Sequence, residues 1–296
     1  MDPRLLYTID PQVWAELAGE RPVLVHLLEG FVDAGQVSQT VSAYLREHCE
    51  HRDLAVFDHD QLHDYRSRRP QMVFDTNQWV GLTDYSLTLH RLLDAAGRPF
   101  LLLAGPEPDT QWNRMAEAVL GLAADLGVAQ LVTITGVPMG VPHTRPVLVT
   151  GHATDPELAP DNPVWIDRVT IPGSFGAMLE YRAGQRGLLA RGFVAHVPHY
   201  LAQGTFPPGA AAVLHHLAEA TGLTLPTDEL DAASIAALEA LDAEVRNDEE
   251  LTPMVAALEE QYDQLQSKGR PPVPTADEIG ETVERFLAER TDDDPE

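Results

Sequence analysis

Glu29 and Asp33 flank the glycine-rich turn Gly30-Phe-Val-Asp-Ala-Gly35, which leads into a segment of helical period. Free backbone N–H groups at such a helix start bind an anion or a carboxylate. The alternative is that Asp33 caps the helix itself. The glycine spacing is that of a phosphate loop, but Gln36 stands where that chemistry needs a lysine, so the stretch reads as a turn. His143 and Arg145 lie in a proline-bounded loop, and His196 and His199 frame Val-Pro in His196-Val-Pro-His-Tyr200. With Glu107 they would supply a general base and a phosphate clamp for a phosphorolytic or hydrolytic enzyme. Hydrogen-bonded structural histidines near strand ends are the competing reading.

Other stretches carry weaker chemistry. His59 and His63 in Asp58-His-Asp-Gln-Leu-His-Asp64 would share one face of a helix, but no glutamate follows the first histidine and no third metal ligand is evident, which favours a solvated loop. Cys49, the only cysteine, excludes an intrachain disulfide and a cysteine-based zinc cage, and nothing around it activates a thiol. Ser174 in Pro172-Gly-Ser-Phe-Gly176 lacks the first glycine of a nucleophile elbow and reads as a helix start.

One omission constrains the chemistry further. Lys268 is the sole lysine, so phosphate-loop, Schiff-base and pyridoxal chemistry lack their central residue. No cofactor is expected. With 46 acidic against 20 basic residues, the formal net charge is -26, and such a surface repels the phosphate backbone of nucleic acids. The acidity is uneven, since 21 of the acidic residues follow Leu225. No basic leader or spanning-length apolar run is seen, so a cytoplasmic protein without membrane segments is expected.

These residues need strands and helices to position them. Pro22–Leu28, Pro99–Gly105 and Gln130–Gly136 read as buried strands, Leu54–Phe57, Val147–Thr150 and Arg191–Pro198 as further strands. Helical period runs over Ala34–His48, Thr110–Leu126 and Gly209–Gly222, and a further helix opens at Gly173 or Ser174. The alternation predicts an α/β fold with a largely parallel sheet. Ligands sit beyond the carboxyl ends of such strands, so Glu29, Gly105, Gly136 and His196 would line one cleft. Residues 58–79 read as a loop and an edge hairpin. After Leu225 come helices with acidic faces, which divides the chain into a core domain of residues 1–225 and an acidic helical extension of residues 226–296, with a last helix around Ile279–Leu287.

The stretches Pro22-Val-Leu-Val-His-Leu-Leu-Glu-Gly-Phe-Val-Asp-Ala-Gly35, Gly136-Val-Pro138 and Gly187-Leu-Leu-Ala-Arg-Gly-Phe-Val-Ala-His-Val-Pro-His-Tyr200 resemble the proteasome assembly chaperone type 2 family, in its actinobacterial-like form. The resemblance implies a three-layer α/β/α sandwich similar to purine nucleoside phosphorylases, homo-oligomers with a trimer favoured, and binding to proteasome α subunits. It implies no catalytic residues. Archaeal members dock through a tail of a hydrophobic residue, tyrosine and any residue. This sequence ends Asp-Pro-Glu, so docking through the tail is not expected.

Overall fold

Apolar side chains occupy nearly every position of Val23-Leu-Val-His-Leu-Leu28, as a strand buried on both faces requires, and they form the centre of the main sheet. The computed structural model describes residues 2–30, 32–83, 85–159, 168–249 and 251–268. The described elements are β1 (Tyr7–Ile9), α1 (Pro11–Glu16), β2 (Val23–Glu29), α2 (Val37–His48), β3 (His51–Phe57), α3 (His59–Leu62), β4 (Met72–Asp75), β5 (Gln78–Leu82), β6 (Thr88–Leu93) and β7 (Pro99–Pro106). They continue with α4 (Trp112–Asp125), β8 (Gln130–Met139), β9 (Val149–Ala153), α5 (Phe175–Gln185), β10 (Ala190–Pro198), α6 (Pro207–Thr221), α7 (Asp228–Arg246) and α8 (Leu251–Lys268).

Eight strands make one sheet in the order β1-β3-β6-β7-β2-β8-β10-β9. The middle strands β7, β2, β8 and β10 are parallel. Antiparallel strands flank them on both sides, so the sheet is mixed where a largely parallel one was expected. Successive side chains of a strand point to opposite faces. Val25, Leu102, Val132 and Phe193 accordingly pack with α2, α6 and Leu230 of α7 on one face, while Leu24, Leu101, Leu103 and Leu131 pack with α4 and α5 on the other. Each such side chain, fully buried, contributes about 1.5–3 kcal/mol. The result is a large central sheet flanked by helices, followed by α7 and α8.

Helix starts follow their sequence signals. Ser174 Oγ accepts from the Ala177 N–H and caps α5. Pro207 and Pro208 open α6, and Gly222, in the left-handed region, closes it. The expected helix around Ile279–Leu287 lies outside the described residues.

The expected edge hairpin is β4 and β5, and it joins no strand of the main sheet. It forms a separate two-stranded ribbon with Phe74 paired to Trp79 and Met72 to Leu82. The 58–64 stretch is also different from a solvated loop: His63 is buried, its ring stacks on His59 with centroids 3.9 Å apart, and its Nε2 lies 3.3 Å from the Pro106 carbonyl. Among the described residues, no group of three or more His, Cys, Asp or Glu is arranged to hold a metal ion.

Candidate functional site

Helix α2, which follows β2, lies on one face of the sheet, and α4, which follows β7, lies on the other. Between the carboxyl ends of two such neighbouring strands a ligand crevice opens in α/β sheets. Here the chain fills it. The Glu107 N–H donates to the Glu29 carbonyl at 2.8 Å, and Glu107 Oε1 accepts from the Phe175 N–H at 2.6 Å. The rest of the Glu107 carboxylate packs on Gly30, where any side chain would overlap it. Arg68 donates to the Glu29 carbonyl at 3.3 Å and pairs with Asp109 at 3.4 Å. Burial raises the Asp109 carboxyl, but the Asp64 N–H, the Ser67 hydroxyl and Arg68 outweigh it and hold the group below its ordinary value.

The helix start after β2 is filled in the same way. Asp33 accepts from the Ser38 N–H at 2.9 Å, the Ser38 hydroxyl at 2.8 Å, the Gln39 N–H at 3.2 Å and the Gly136 N–H at 3.3 Å. The carboxylate of the chain itself thus occupies the donors that an external anion would use. Gly136 has no room for a Cβ, which would overlap the Ala34 carbonyl oxygen, and a Cβ on Gly105, at φ +132°, would overlap the Ser86 carbonyl oxygen. Gly35 donates to the Ala202 carbonyl and accepts from the Phe206 N–H, which ties the 30–36 turn to the loop after β10.

The histidines expected in the cleft are divided between separate places. His196 is buried beside Thr150 Oγ1, 2.8 Å from its Nε2, and desolvation lowers its pKa to about 4. His199 is exposed. His143 is buried under the helical extension. Its backbone N–H donates to the Tyr200 hydroxyl at 3.0 Å, and that hydroxyl lies 2.6 Å from Nδ1. Burial raises the Tyr200 phenol above its ordinary value. The other ring nitrogen of His143, Nε2, faces Asp242 Oδ1 of α7 at 3.3 Å.

Arg145, the expected phosphate clamp, grips α8 instead. It binds Asp263 through Nε at 2.9 Å and an amino nitrogen at 2.8 Å, and Glu259 at 3.1 Å. The neighbouring Thr144 hydroxyl donates to Glu259, and the Tyr262 hydroxyl donates to the Pro146 carbonyl at 3.0 Å. Arg145 and His143 therefore fasten the helices to the core. Cys49 is buried and its thiol is pushed up to about 11, first by burial and then by Asp94, which removes its nucleophilic form near neutrality.

A cluster of exposed apolar side chains lies elsewhere. In the β4–β5 ribbon Val73 is 58%, Phe74 55%, Trp79 63%, Val80 54% and Leu82 58% exposed. Phe74 and Trp79 meet edge to face with centroids 4.9 Å apart. Because these residues are consecutive in each strand, both faces of the ribbon are apolar. A lone two-stranded ribbon is marginal in water, and contiguous apolar patches of this kind mark interaction surfaces. The absence of period-two alternation in Met72-Val-Phe74 and Trp79-Val80 is the sequence signal for it.

The fold is thus an α/β/α sandwich whose strand-end crevice is filled by its own residues and whose β4–β5 ribbon exposes apolar side chains. The PAC2 family model matches residues 27–245. The chain belongs to the PAC2 family, the proteasome assembly chaperone type 2 family. A Mycobacterium tuberculosis protein of unknown function is 42% identical, with 88% of this chain and 90% of that one covered and a TM-score of 0.82. A Corynebacterium glutamicum protein of unknown function is 34% identical over 87% of this chain and 97% of that one, with a TM-score of 0.82. The proteasome-assembly chaperone homologue of Mycobacterium tuberculosis shares the fold at 24% identity, over 79% of this chain and 99% of that one, with a TM-score of 0.72. No curated protein matches the chain.

Proposed function

We propose that this chain is a non-catalytic, proteasome assembly chaperone-like protein that binds partner polypeptides as a cytoplasmic homo-oligomer. The observation that carries the reading is the β4–β5 ribbon, whose two apolar faces are left to solvent by the chain itself. Covering one Phe or Trp side chain there contributes roughly 1.5–3 kcal/mol, enough for a few such residues to dominate an interface. Membership of the PAC2 family and the likeness to a mycobacterial proteasome-assembly chaperone homologue support a proteasome subunit as the partner, which we take to be the α subunit. Among the described residues no helix is long and apolar enough to cross a membrane.

The self-filled crevice supports the non-catalytic part of the reading. Glu107, Asp33, His143 and Arg145 are each engaged by other parts of the chain. The division into a core of residues 1–225 and an extension of residues 226–296 is part of the proposal, with the extension fastened through His143 and Arg145.

The test is binding of the purified protein to purified proteasome α subunits from the same cells, followed by surface plasmon resonance at physiological salt. Saturable binding that is lost on replacing Phe74 and Trp79 by serine is the expected result. No binding, or equal binding by that variant, overturns the assignment.

A further inference from the structure

The β4–β5 ribbon pairs with no strand of the main sheet, so the two arms that carry it set where its apolar faces point. The rising arm is residues 64–71, and the returning arm holds Thr83 and Tyr85. Both arms meet one side chain of α3. The His59 ring stacks on Tyr85, with centroids 5.6 Å apart, and meets Tyr65 edge to face at 5.5 Å. It also stacks on the His63 ring at 3.9 Å. The Tyr85 hydroxyl donates to the Arg69 carbonyl at 3.3 Å and the Thr83 N–H to the Gln71 carbonyl at 2.8 Å, which ties the arms together. The Tyr65 hydroxyl donates to Asp60 of α3 at 2.6 Å. The base of the ribbon is thus seated on a pair of imidazoles.

That pair is poorly placed to take a charge. His63 is buried, and the Pro106 carbonyl lies 3.3 Å from its Nε2. A carbonyl only accepts, so this hydrogen bond puts the ring proton on Nε2. The buried Nδ1 has no partner among the described residues. A second proton there would add a charge and a donor that nothing serves. Burial first, and then His59, hold the His63 pKa below its ordinary 6.5; Arg68 acts in the same direction, and the Pro106 carbonyl and Asp109 oppose them. The remaining charged groups on the surrounding segments are engaged or exposed: Asp58 caps α3, Asp64 pairs with Arg66, Glu107 holds the Phe175 N–H, and Arg69 is exposed. When the arms leave, His63 regains water and its ordinary pKa. The open form therefore binds more protons, and the seated form is lost as pH falls below 6.5.

We propose that the His59–His63 stack is a proton-operated seat for the ribbon, which holds both arms when uncharged and releases them when protonated. His59 and His63 are positioning residues: seated, they fix the apolar faces in one orientation, and released, they leave only a fraction of molecules ready for a partner. This consequence for binding rests on the ribbon being the partner surface. The seat itself does not.

Amide hydrogen exchange of the full chain, read by mass spectrometry and corrected for its intrinsic pH dependence, tests the seat without α subunits. Residues 65–86 are expected to exchange about tenfold faster at pH 5.5 than at pH 7.5, while β2 and β7 are unchanged. His63→Phe keeps a flat ring against His59 and takes no proton, so it should remove the pH dependence. His59→Ala should give the fast exchange at both pH values. Equal protection of residues 65–86 at the two pH values in the wild type, or a pH dependence retained by His63→Phe, overturns the proposal. Should His63→Phe fail to fold, the His63 ring resonances of the wild type take its place: they should titrate together with the loss of protection, and titration apart from it overturns the proposal. By surface plasmon resonance, α-subunit affinity should fall about tenfold in acid for the wild type and not for His63→Phe. Absence of α-subunit binding at both pH values, with the exchange as expected, would count against the ribbon as the partner surface and leave the seat standing.

Discussion

The crevice at the carboxyl ends of β2 and β7 and the β4–β5 ribbon treat their surroundings in opposite ways. In the crevice every residue of chemical interest already has a partner from the chain: Glu107 holds the start of α5, Asp33 holds the start of α2, and Arg68 holds the Glu29 carbonyl. In the ribbon, large apolar residues on both faces have almost none. Charged residues and histidines draw the eye in a sequence, but a satisfied carboxylate does no further work. The place where the molecule is incomplete is where a partner has something to gain.

This contrast leads to unequal consequences of mutation. The largest effect is expected in the ribbon. Phe74→Ser with Trp79→Ser should reduce the affinity for proteasome α subunits by roughly 100-fold or more, as loss of interface hot spots does, while the circular dichroism spectrum of the core stays unchanged; surface plasmon resonance reads the loss. In the crevice the effect should be on stability and not on association. Gly136→Ala must displace the Ala34 carbonyl and is expected to cost about 3 kcal/mol, measured by urea denaturation. Asp33→Ala, which removes the acceptor for four donors, should cost about 2 kcal/mol and Asp33→Asn less, with the affinity for α subunits unchanged.

A smaller and graded effect is expected from pH. His26 and His196 have folded pKa values of about 4, below the ordinary 6.5, both through desolvation. Between these values the unfolded chain binds more protons than the folded one, so acid favours unfolding. Stability should therefore fall as pH drops from about 6.5 to about 4, by at most about 1.4 kcal/mol per pH unit for each histidine, and should be flat in this respect above that window. Urea melts across the range measure the slope, and His196→Gln should reduce it. A slope unchanged by this substitution would remove His196 from the account.

The central strands were legible because β2 and β7 carry nearly continuous apolar runs, as burial on both faces requires, and β8 and β10 carry short apolar runs broken by few polar residues. The helices α2, α4 and α6 were legible from apolar period with glycine, proline or serine at their ends. β6 was not, because His90 and Arg91 interrupt its pattern. They are tolerated there since Asp53 hydrogen-bonds the His90 ring at 2.8 Å and Glu16 pairs with Arg91, both partners distant in sequence. β1, with three residues, is too short to show a period.

The site was legible in position more than in role. Glu29, Gly30, Gly105, Glu107 and Gly136 do stand at strand ends, but the partners that fill the crevice come from Arg68, Asp109 and Phe175. His143 and Arg145 find theirs about a hundred residues away in α7 and α8. Pairings of that range leave no mark on local pattern.

The most direct test sets the two regions against each other with a photocrosslinking amino acid, placed in one protein at Trp79 and in another at Glu29, each irradiated with purified proteasome α subunits present. The account predicts polypeptide crosslinks, to α subunits or to a second copy of the chain, from position 79 and none from position 29. Crosslinks from position 29 with none from position 79 would contradict it.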